Sequence, residues 1–574
     1  MAAQYDLVVR NGTIVDGTGV RRFEGDVAVL DGKIAAIGDV AGGGREEIDA
    51  SGRVVTPGFV DIHTHYDGHA TWTNQLQPSS QHGVTTVLAG NCGVGFAPCK
   101  QEDRDRLVAL MEGVEDIPEP VMTAGLPWNW ESFPEYLDSL DGRPFDIEIA
   151  TQVPHAPLRV YVMGDRAAGK DPATAEDIER MAKLAREAVE AGALGFSTSR
   201  SLNHKANDGT ITYSYAAASD ELAGIARGVA QSGKGVLQFI SDFDDVDSEF
   251  AIVERMVRES GLPLSLSLLQ SSQGPADRWR KVLDRIEVAR AIGAPIRAQI
   301  SGRPIGLIMT LDFSRHPFVT CPSFIEVAKL DSSSRLAALR DPQRKQNILD
   351  EYARNSAAGT MPLANFANMY EMDERPNYEP AAEESLAARA SHDGKTPFEI
   401  AYEVLVDGTG VIYYPAANYR DNSIEPIRVM LDHEATTFGL GDGGAHCGMI
   451  CDASLPTYYL ERWLGDDAGA DNGRMSLERL IKRLTMDTAD LVGLGDRGEI
   501  RVGLRADLNV IDLDNVALMK PEVVADLPNG AKRLGQRANG YDATIVGGVV
   551  TYRNGEHTGA LPGRLVRGAR PRAA

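Results

Sequence analysis

The sequence predicts an α/β protein in which a TIM-like (β/α)8 barrel carries a small β-sandwich domain built from both ends of the chain. Residues 57–497 alternate short apolar strands with helical segments, the pattern of parallel strands joined by crossover helices. Residues 1–56 and 498–574 instead contain short β-branched runs separated by turns such as Asn11-Gly12. Neither end can fill a core alone, so we expect the two ends to form one domain.

The eight barrel strands are predicted from apolar runs that end in a turn or a polar residue. They are expected at residues 59–62, 83–93, 145–153, 193–199, 235–241, 262–270, 295–301 and 436–440. A long insert, 302–433, separates the last two strands and shows no strand period, and a shorter insert, 98–145, follows the second strand. Each insert is either a lid or added subdomain, or a packing and oligomer-contact element. Active sites of this fold lie at the carboxyl ends of the strands.

Composition and charge narrow the classes of function. The formal net charge of −24 argues against nucleic acid or anionic lipid as a partner. No apolar run approaches the roughly 18 residues of a membrane span, and the first residues lack a secretory-signal pattern. Five cysteines in 574 residues do not suggest a disulfide framework. We therefore expect a cytoplasmic enzyme with a small-molecule substrate and no membrane partner, with homo-oligomerisation left open.

Two histidines at the end of the first predicted strand form the main chemical motif. His63 and His65 are two residues apart, so their side chains point to the same side of a strand. Paired imidazoles can chelate zinc. Asp442 follows the eighth strand in a glycine-rich turn, where its carboxylate can bind the metal and accept a proton from bound water. Chance surface histidines and a simple turn aspartate are the plainer interpretations, but their coincidence at strand ends favours a metal site.

Three segments resemble the amidohydrolase superfamily and, within it, the D-aminoacylases (N-acyl-D-amino-acid deacylases). They are TPGFVDIHTH at 56–65, AGNCGVGFAPC at 89–99 and PHAPLR at 154–159. The β-rich ends of the chain also match the layout of that family. The resemblance implies hydrolysis of a C–N amide bond in an N-acyl-D-amino acid. It also implies that Cys92 holds or bridges zinc, and that His155 and Arg159 support the site, contact substrate or serve as packing elements.

The sequence departs from this family at the fifth and sixth strands. D-aminoacylases take two further zinc ligands from histidines there, whereas this chain has Gln238 on the fifth strand and Leu268, Leu269 and Gln270 on the sixth. Other relatives use a carboxylated lysine on the fourth strand, which has no lysine here, so Cys92 is the better candidate. Glutamine is a poor zinc ligand. We therefore expect one zinc ion rather than two. The expected ligands are His63, His65, Cys92 and Asp442.

The lysine that binds the substrate carboxylate in this family is also missing. Other side chains near predicted strand ends are therefore candidates for contact with substrate. They are His69, His155, Arg159, Gln238, Gln270, Arg297, Arg303 and His446. Arg297 or Arg303 can replace the missing cation, and the two glutamines can orient water or substrate. His69 and His446 lie nearest the metal motifs in sequence.

The resulting hypothesis is a metal-dependent amide hydrolase. The metal lowers the pKa of a bound water and polarises the scissile carbonyl, and Asp442 takes the proton and passes it to the leaving nitrogen. Three alternatives stay open. They are hydrolysis of another amide, a cyclic amide or an ester; a non-hydrolytic lyase or isomerase on the same scaffold; and a non-catalytic binding module.

Overall fold

Eight parallel strands form a closed ring in the structure, a computed structural model that describes residues 4–313, 315–357, 364–465 and 474–570. In order they are Phe59–Asp61, Val84–Ala89, Glu148–Thr151 continued by Val153–Pro154, Gly195–Arg200, Val236–Ser241, Leu264–Ser267, Ile296–Ile300 and Thr436–Phe438. The ring closes where His65 N donates to Gly443 O at 2.7 Å and Asp442 N donates to His63 O at 2.9 Å. Each strand overlaps its predicted range, and the predicted fold class is confirmed.

The barrel strands are largely buried on both faces because one face lines the barrel core and the other packs against helices. All residues of the second strand, Val84–Ala89, are buried. The surrounding helices include His155–Met163, Ala175–Ala191, Ser219–Ala230, Val246–Ser260, Arg278–Ala291, Glu425–Asp432, Leu455–Arg462, Leu477–Leu484 and Met486–Leu491. The helix Ala175–Ala191 begins at a capping box between Thr174 and Asp177. It ends at Gly192, whose φ of 133° is accessible to glycine.

Strands from both ends of the chain form one nine-stranded sheet. The N-terminal strands are Tyr5–Ile14, Phe23–Leu30, Lys33–Gly38, Gly44–Asp49 and Val54–Pro57, and the C-terminal strands are Leu508–Ile511, Tyr541–Val546, Val549–Arg553 and Glu556–His557. The two ends meet where Leu508–Ile511 runs antiparallel to Val54–Pro57, with Val510 opposite Val55. Both ends therefore contribute to one apolar core. The domain bounds given above stay a prediction.

The long insert, 302–433, has its own apolar core and contains strands as well as helices. Its three-stranded sheet consists of Ile305–Met309, Tyr370–Glu371 and Ile412–Ala417, so the prediction of an insert without strands is wrong. Its helices include Pro322–Ile325, Ser332–Leu339, Pro342–Ala357, Leu386–Asp393 and Pro397–Val406. These strands pair across long sequence separations, which a local period does not reveal. Parts of the predicted domains, residues 1–3, 314, 358–363, 466–473 and 571–574, lie outside the described residues.

The shorter insert, 98–145, contains the helices Arg104–Glu115, Glu119–Gly125 and Phe133–Asp141. The first of these helices buries Leu107, Met111 and Val114, a helical spacing that makes one face apolar. Glu115 is buried at the end of the same helix. In the part of the chain that the structure describes, no helix is long and apolar enough to cross a membrane.

Candidate active site

Four side chains converge at the carboxyl end of the barrel and form what we call the metal cluster. His63 and His65 follow the first barrel strand, Cys92 follows the second and Asp442 follows the eighth. Cys92 Sγ lies 3.3 Å from His63 Nε2 and 3.6 Å from His65 Nε2. Asp442 Oδ1 lies 3.5 Å from His63 Nε2 and 3.7 Å from His65 Nε2. The structure therefore brings all four predicted metal ligands together.

The separations of Cys92 and of Asp442 from the two histidines match the spacing of ligands around a tetrahedral ion. With bonds of about 2.0 Å to nitrogen or oxygen and about 2.3 Å to sulfur, ligand atoms around zinc lie roughly 3.3–3.6 Å apart. Donor atoms of His63, His65 and Cys92 all lie within 4.8 Å of one another. Asp442 and the two histidines would approach each other more closely if they were only hydrogen-bonded, since N–H···O bonds span about 2.7–3.2 Å. The residues present fit a metal site.

Two of the predicted ligands lie on strained turns that direct them toward this point. Cys92 has a φ of 55° and Asp442 a φ of 47°, a left-handed region that residues other than glycine rarely adopt. Gln238 Oε1 accepts a hydrogen bond from Cys92 N at 3.2 Å. His63 O accepts one from Asp442 N at 2.9 Å. Tertiary contacts of this kind maintain backbone strain at functional sites. Gln238, a predicted substrate contact, thus acts on the Cys92 backbone.

Gln299, on the seventh barrel strand, determines which ring nitrogen of His63 faces the metal cluster. Its Oε1 lies 2.7 Å from His63 Nδ1, and its Nε2 donates to Ser265 Oγ at 2.8 Å. Because an amide oxygen only accepts, His63 carries its proton on Nδ1 and presents an unprotonated Nε2 to the cluster. Sequence reasoning missed Gln299. The feature of the sequence that could have identified it is a glutamine near the carboxyl end of a predicted buried strand.

Glu115, from the shorter insert, is a further acidic group beside the metal cluster. It is 2% exposed. Its Oε1 lies 3.4 Å from His65 Nδ1, and its Oε2 lies 3.8 Å from His446 Nε2. His65 Nδ1 makes no hydrogen bond among the described residues, so the Glu115 contact is an electrostatic approach. A carboxylate in this position can orient a metal-binding imidazole and raise its basicity. Sequence reasoning missed Glu115, although a carboxylate on the buried face of an amphipathic helix is a usable signal.

Burial moves the groups at the site toward their neutral forms. Loss of hydration lowers the pKa of His63 to about 4. It raises the pKa values of Cys92, Asp442 and Glu115 well above their ordinary values, and the nearby Asp442 charge raises the pKa of Glu115 further. A divalent cation reverses this effect, because it favours the thiolate and carboxylate anions and binds neutral imidazole. The electrostatics of the site therefore suit a cation.

A cavity of about 700 Å³ opens onto the metal cluster. Its wall consists of the loops after the fourth, fifth and sixth barrel strands, together with Ile305 and Ala417 of the long insert. The apolar lining includes Ile240, Phe243, Leu268, Leu269 and Trp279, and the polar lining includes His204, Asp242, Asp244, Arg278 and His446. A volume of this size suits a small organic substrate. The long insert therefore forms part of the cavity wall.

The two histidines predicted from their nearness in sequence have different positions. His446 lines the cavity, and its buried Nδ1 has no hydrogen-bond partner among the residues that the structure describes. His69 is 3% exposed and borders a smaller space on another side of Asp442, next to Arg533. Both ring nitrogens of His69 are buried and have no hydrogen-bond partner in the described part of the chain. The structure therefore places His446, and not His69, on the large cavity.

His155 and Arg159 bind Glu221 in what we call the packing network. Glu221 Oε1 lies 3.0 Å from His155 Nε2 and 2.9 Å from Arg159 Nε. His155 Nδ1 also lies 2.8 Å from Thr198 Oγ1. Each of the three main residues is at most 1% exposed. Neither His155 nor Arg159 is found on the cavity wall as far as the chain is described. Of the roles that the resemblance implies for them, the structure matches packing.

Two more predicted substrate contacts, Arg303 and Gln270, form hydrogen bonds or ion pairs with other residues of the protein. Arg303 is 1% exposed and pairs with Asp452 at 2.6 Å. Gln270 is 7% exposed, and its Oε1 accepts from Arg420 N at 3.3 Å. Within the described ranges, the cavity wall contains neither Arg303 nor Gln270. Both side chains instead connect the barrel to the segments that follow it.

The remaining candidate cation, Arg297, lies at the wrong end of the barrel. It is the second residue of its strand, Ile296–Ile300, and donates to Glu434 O at 3.2 Å. The amino-terminal end of a barrel strand faces away from the active-site mouth. Among the residues that the structure describes, Arg278 is the one arginine or lysine on the cavity wall. Sequence reasoning missed Arg278 because it belongs to the helix after the sixth strand.

The closed parallel barrel and its metal cluster define the class, a metal-binding hydrolase of the (β/α)8 type. The chain belongs to the amidohydrolase family, whose sequence profile matches residues 46–552. The protein is therefore a hydrolase that acts on carbon–nitrogen bonds, as predicted.

Curated relatives align over nearly the whole chain. D-aminoacylase of Alcaligenes xylosoxydans xylosoxydans is 28% identical over 568 residues, which cover 98% of this chain and 97% of the relative. N-acyl-D-glutamate deacylase of the same organism is 30% identical over 577 residues, with coverage of 99% and 97%. Solved structures of a D-aminoacylase and of N-acyl-D-glutamate deacylase from Bordetella bronchiseptica each match with a TM-score of 0.64 at 24% identity. Both cover 98% of this chain, and 100% and 99% of theirs, so they share its fold.

Proposed function

We propose that the protein hydrolyses the amide bond of an N-acyl-D-amino acid or a related N-acyl compound, with one zinc ion in the metal cluster. The observation that carries the proposal is the convergence of four metal-binding side chains at a substrate-sized cavity. Relatives of matching length are named D-aminoacylase and N-acyl-D-glutamate deacylase. The solved N-acyl-D-glutamate deacylase is described as complexed with zinc and a phosphonate mimic of the tetrahedral intermediate. These names support the substrate class and the choice of metal.

The proposal of a single ion rests on the side chains around the rest of the barrel mouth. On the fifth strand, Gln238 Oε1 accepts a hydrogen bond from Cys92 N. On the seventh strand, Gln299 Oε1 accepts one from His63 Nδ1. Positions 268 and 269, after the sixth strand, are leucines. Among the described residues, one group has three metal-binding atoms close enough together to share an ion. It consists of His63, His65 and Cys92. A second ion would therefore lack ligands.

The chain's own groups have distinct tasks in the proposed reaction. When bound, the ion supplies Lewis-acid polarisation of the carbonyl and a more acidic water. Asp442 takes a proton from the attacking water and donates it to the leaving nitrogen. Its Oδ1 faces the two histidines, which leaves Oδ2 to carry the proton. Glu115 and Gln299 keep the imidazole rings oriented toward the cluster.

Arg278 is the proposed partner of the substrate carboxylate, in place of Arg297 and Arg303. Its guanidinium is held at the cavity wall by Asp244 Oδ1 at 2.8 Å and Asp242 O at 2.9 Å. The side chain of Asp244 is 66% exposed, so a substrate carboxylate can compete for the same nitrogen. An arginine can bind a carboxylate through two parallel hydrogen bonds. The apolar part of the cavity then receives the acyl group.

Metal analysis combined with an activity screen tests the proposed function. The purified protein is expected to carry about one zinc ion per chain and to release free amino acid from N-acetyl-D-amino acids. The corresponding L-enantiomers are the matched control. Metal without D-selective turnover would favour another amide, a cyclic amide, an ester or non-hydrolytic chemistry. Absence of both metal and turnover would favour a binding module, and a well-occupied pair of ions would overturn the single-ion proposal.

Other expectations from the sequence stay predictions. They are cytoplasmic location, the absence of nucleic-acid and membrane partners, and homo-oligomerisation. The net charge of −24 supports the absence of nucleic-acid and membrane partners, through repulsion from anionic polymers and lipid surfaces. Light scattering of the purified protein tests the last.

A further inference from the structure

His204 is an imidazole on the cavity wall outside the metal cluster. It lies in the loop after the fourth barrel strand, Gly195–Arg200. Thr212 N donates to His204 O at 2.7 Å, and His204 N donates to Ser201 O at 3.3 Å. These backbone bonds hold the residue at a defined place on the wall.

Ser199 determines which ring nitrogen of His204 carries the proton. Ser199 Oγ lies 2.8 Å from His204 Nδ1 and accepts from Ser201 N at 3.3 Å. Ser199 is fully buried, so its hydroxyl proton requires an acceptor. Within the described part of the chain, Nδ1 is the acceptor at hydrogen-bond distance. Nδ1 therefore accepts, the ring proton lies on Nε2, and Nε2–H is the donor that His204 offers to the cavity.

His204 is a neutral donor on the wall of the cavity that opens onto the metal cluster. Burial lowers the pKa of its imidazole to about 4, so the ring carries no charge at neutral pH. His204 lines the same cavity as His63, His65 and His446. His446 Nε2 faces Glu115 at 3.8 Å. His204 is therefore an imidazole at the site whose Nε2 has no hydrogen-bond partner among the described residues and can meet a substrate.

We infer that His204 is a further catalytic residue, whose Nε2–H donates a hydrogen bond to the oxygen of the scissile carbonyl. This inference rests on the proposed function. When water adds to the amide carbon, the π electron pair of the carbonyl moves to oxygen. It returns when the C–N bond breaks and the nitrogen leaves with the proton carried by Asp442. A preorganised donor stabilises this oxygen most when its negative charge is largest. Ser199 is the positioning residue that directs the imidazole proton.

His204→Phe tests the donor. On the N-acetyl-D-amino acid that the parent hydrolyses fastest, kcat is expected to fall about 10²–10³-fold, with KM changed by less than about threefold. Metal content should stay at the parental value because His204 lies outside the metal cluster. His392→Phe is the matched control, since the His392 side chain is 89% exposed. This control should behave as the parent.

Ser199→Ala tests the positioning residue. The imidazole remains but its proton is no longer directed to Nε2, so kcat is expected to fall about tenfold with KM retained. A phosphonate analogue of the tetrahedral intermediate supplies an independent readout. Its inhibition constant should rise by the same factor as kcat falls in both variants, because the lost bond is made to the transition state. A purely structural role would change stability or metal content without this parallel.

Separate outcomes overturn the inference and the proposed function. A metal-bearing parent that hydrolyses no N-acetyl-D-amino acid overturns the proposed function, and the inference with it. An active parent whose His204→Phe variant keeps kcat within about threefold overturns the inference alone. If His204→Phe does not fold, as judged by circular dichroism and metal content, His204→Ala is measured against the same threshold.

Discussion

The packing network and the metal cluster are both buried groups of histidine and carboxylate on the same barrel, and they differ in spacing. Contacts to Glu221 in the packing network span 2.9 and 3.0 Å. Contacts between Asp442 and the histidines of the metal cluster span 3.5 and 3.7 Å. Polar groups at hydrogen-bond distance satisfy each other. Groups that converge but leave a ligand-sized gap can hold an ion between them, so spacing distinguishes the two clusters better than burial.

Two buried glutamates show the same contrast in their pKa values. Glu221 is 1% exposed and Glu115 is 2% exposed. Burial tends to raise the pKa of Glu221, but hydrogen bonds and positive charge from His155 and Arg159 outweigh it, and the pKa is lowered overall. Burial also raises the pKa of Glu115, and the like charge of Asp442 adds to the increase. The protein supplies a counter-charge to the first carboxylate and leaves the second to a cation.

Removing one imidazole of the metal cluster is the change with the largest expected effect. His63→Ala takes away one of two chelating rings, so metal and turnover should be lost together. Metal content by mass spectrometry, measured beside kcat on one sample, checks this prediction. His392→Ala, at an exposed histidine, should keep both. A His63→Ala protein with a full complement of metal would break the comparison, because the ion would then lie elsewhere.

In the packing network, the expected effect is on stability. Glu221→Gln leaves the buried Arg159 without its counter-ion, which should cost about 3–5 kcal/mol of unfolding free energy at neutral pH. The folded-state pKa of Glu221 is below its ordinary value of 4.5. The stabilisation by this carboxylate is therefore fully present above that value and is lost as the pH falls through the folded-state pKa. Denaturant unfolding from about pH 7 to about pH 3 measures the difference.

The stability curves of the parent and Glu221→Gln should converge at the acidic end, and the variant should keep the parental metal content. Equal stability at neutral pH would show that the ionic contacts of the packing network are not what stabilises it. Loss of metal from the folded variant would show that the two clusters are coupled, and the distinction drawn from their spacing would be incorrect.

Asp442→Asn separates metal binding from proton transfer within the metal cluster. The amide keeps the size of the carboxylate but removes the base, so turnover should fall at least about 10²-fold while the fold is retained. Metal content must be measured beside the rate. A metal-loaded variant that works within a few-fold of the parent would show that another group carries the proton. His446, on the cavity wall, would then be the first candidate.

Glu115→Gln tests whether Glu115, unlike Glu221, supports the metal site. We expect this change to have the smallest effect of the four. An amide holds the ring of His65 less firmly than a carboxylate does, so metal affinity should fall about 10–100-fold. Competition with a chelator measures that affinity without relying on turnover. Asp105→Asn is the control, since Asp105 is an exposed acid on the same helix. Parental affinity in Glu115→Gln would mean that Glu115 does not support the metal site.

The metal ligands could be predicted because they sit at strand ends, where local sequence determines geometry. His63 and His65 alternate on one strand and therefore share a side. Asp442 follows an apolar strand, whose carboxyl end faces the barrel mouth. Cys92 was identified by resemblance, since a lone buried cysteine is usually an apolar filler. The structure brings these four residues together, and their roles as ligands stay predictions.

The sequence by itself determined the order of the barrel strands and the two-residue spacing of the histidines, because both follow from short-range periodicity. Tertiary structure decided which other polar groups meet them. Glu115 reaches the site from an insert and Gln299 from a distant strand, whereas Arg303 meets Asp452 instead of the cavity. A polar side chain at a strand end takes whichever partner the packing of remote segments brings near. That packing depends on contacts across hundreds of residues, which no local pattern encodes.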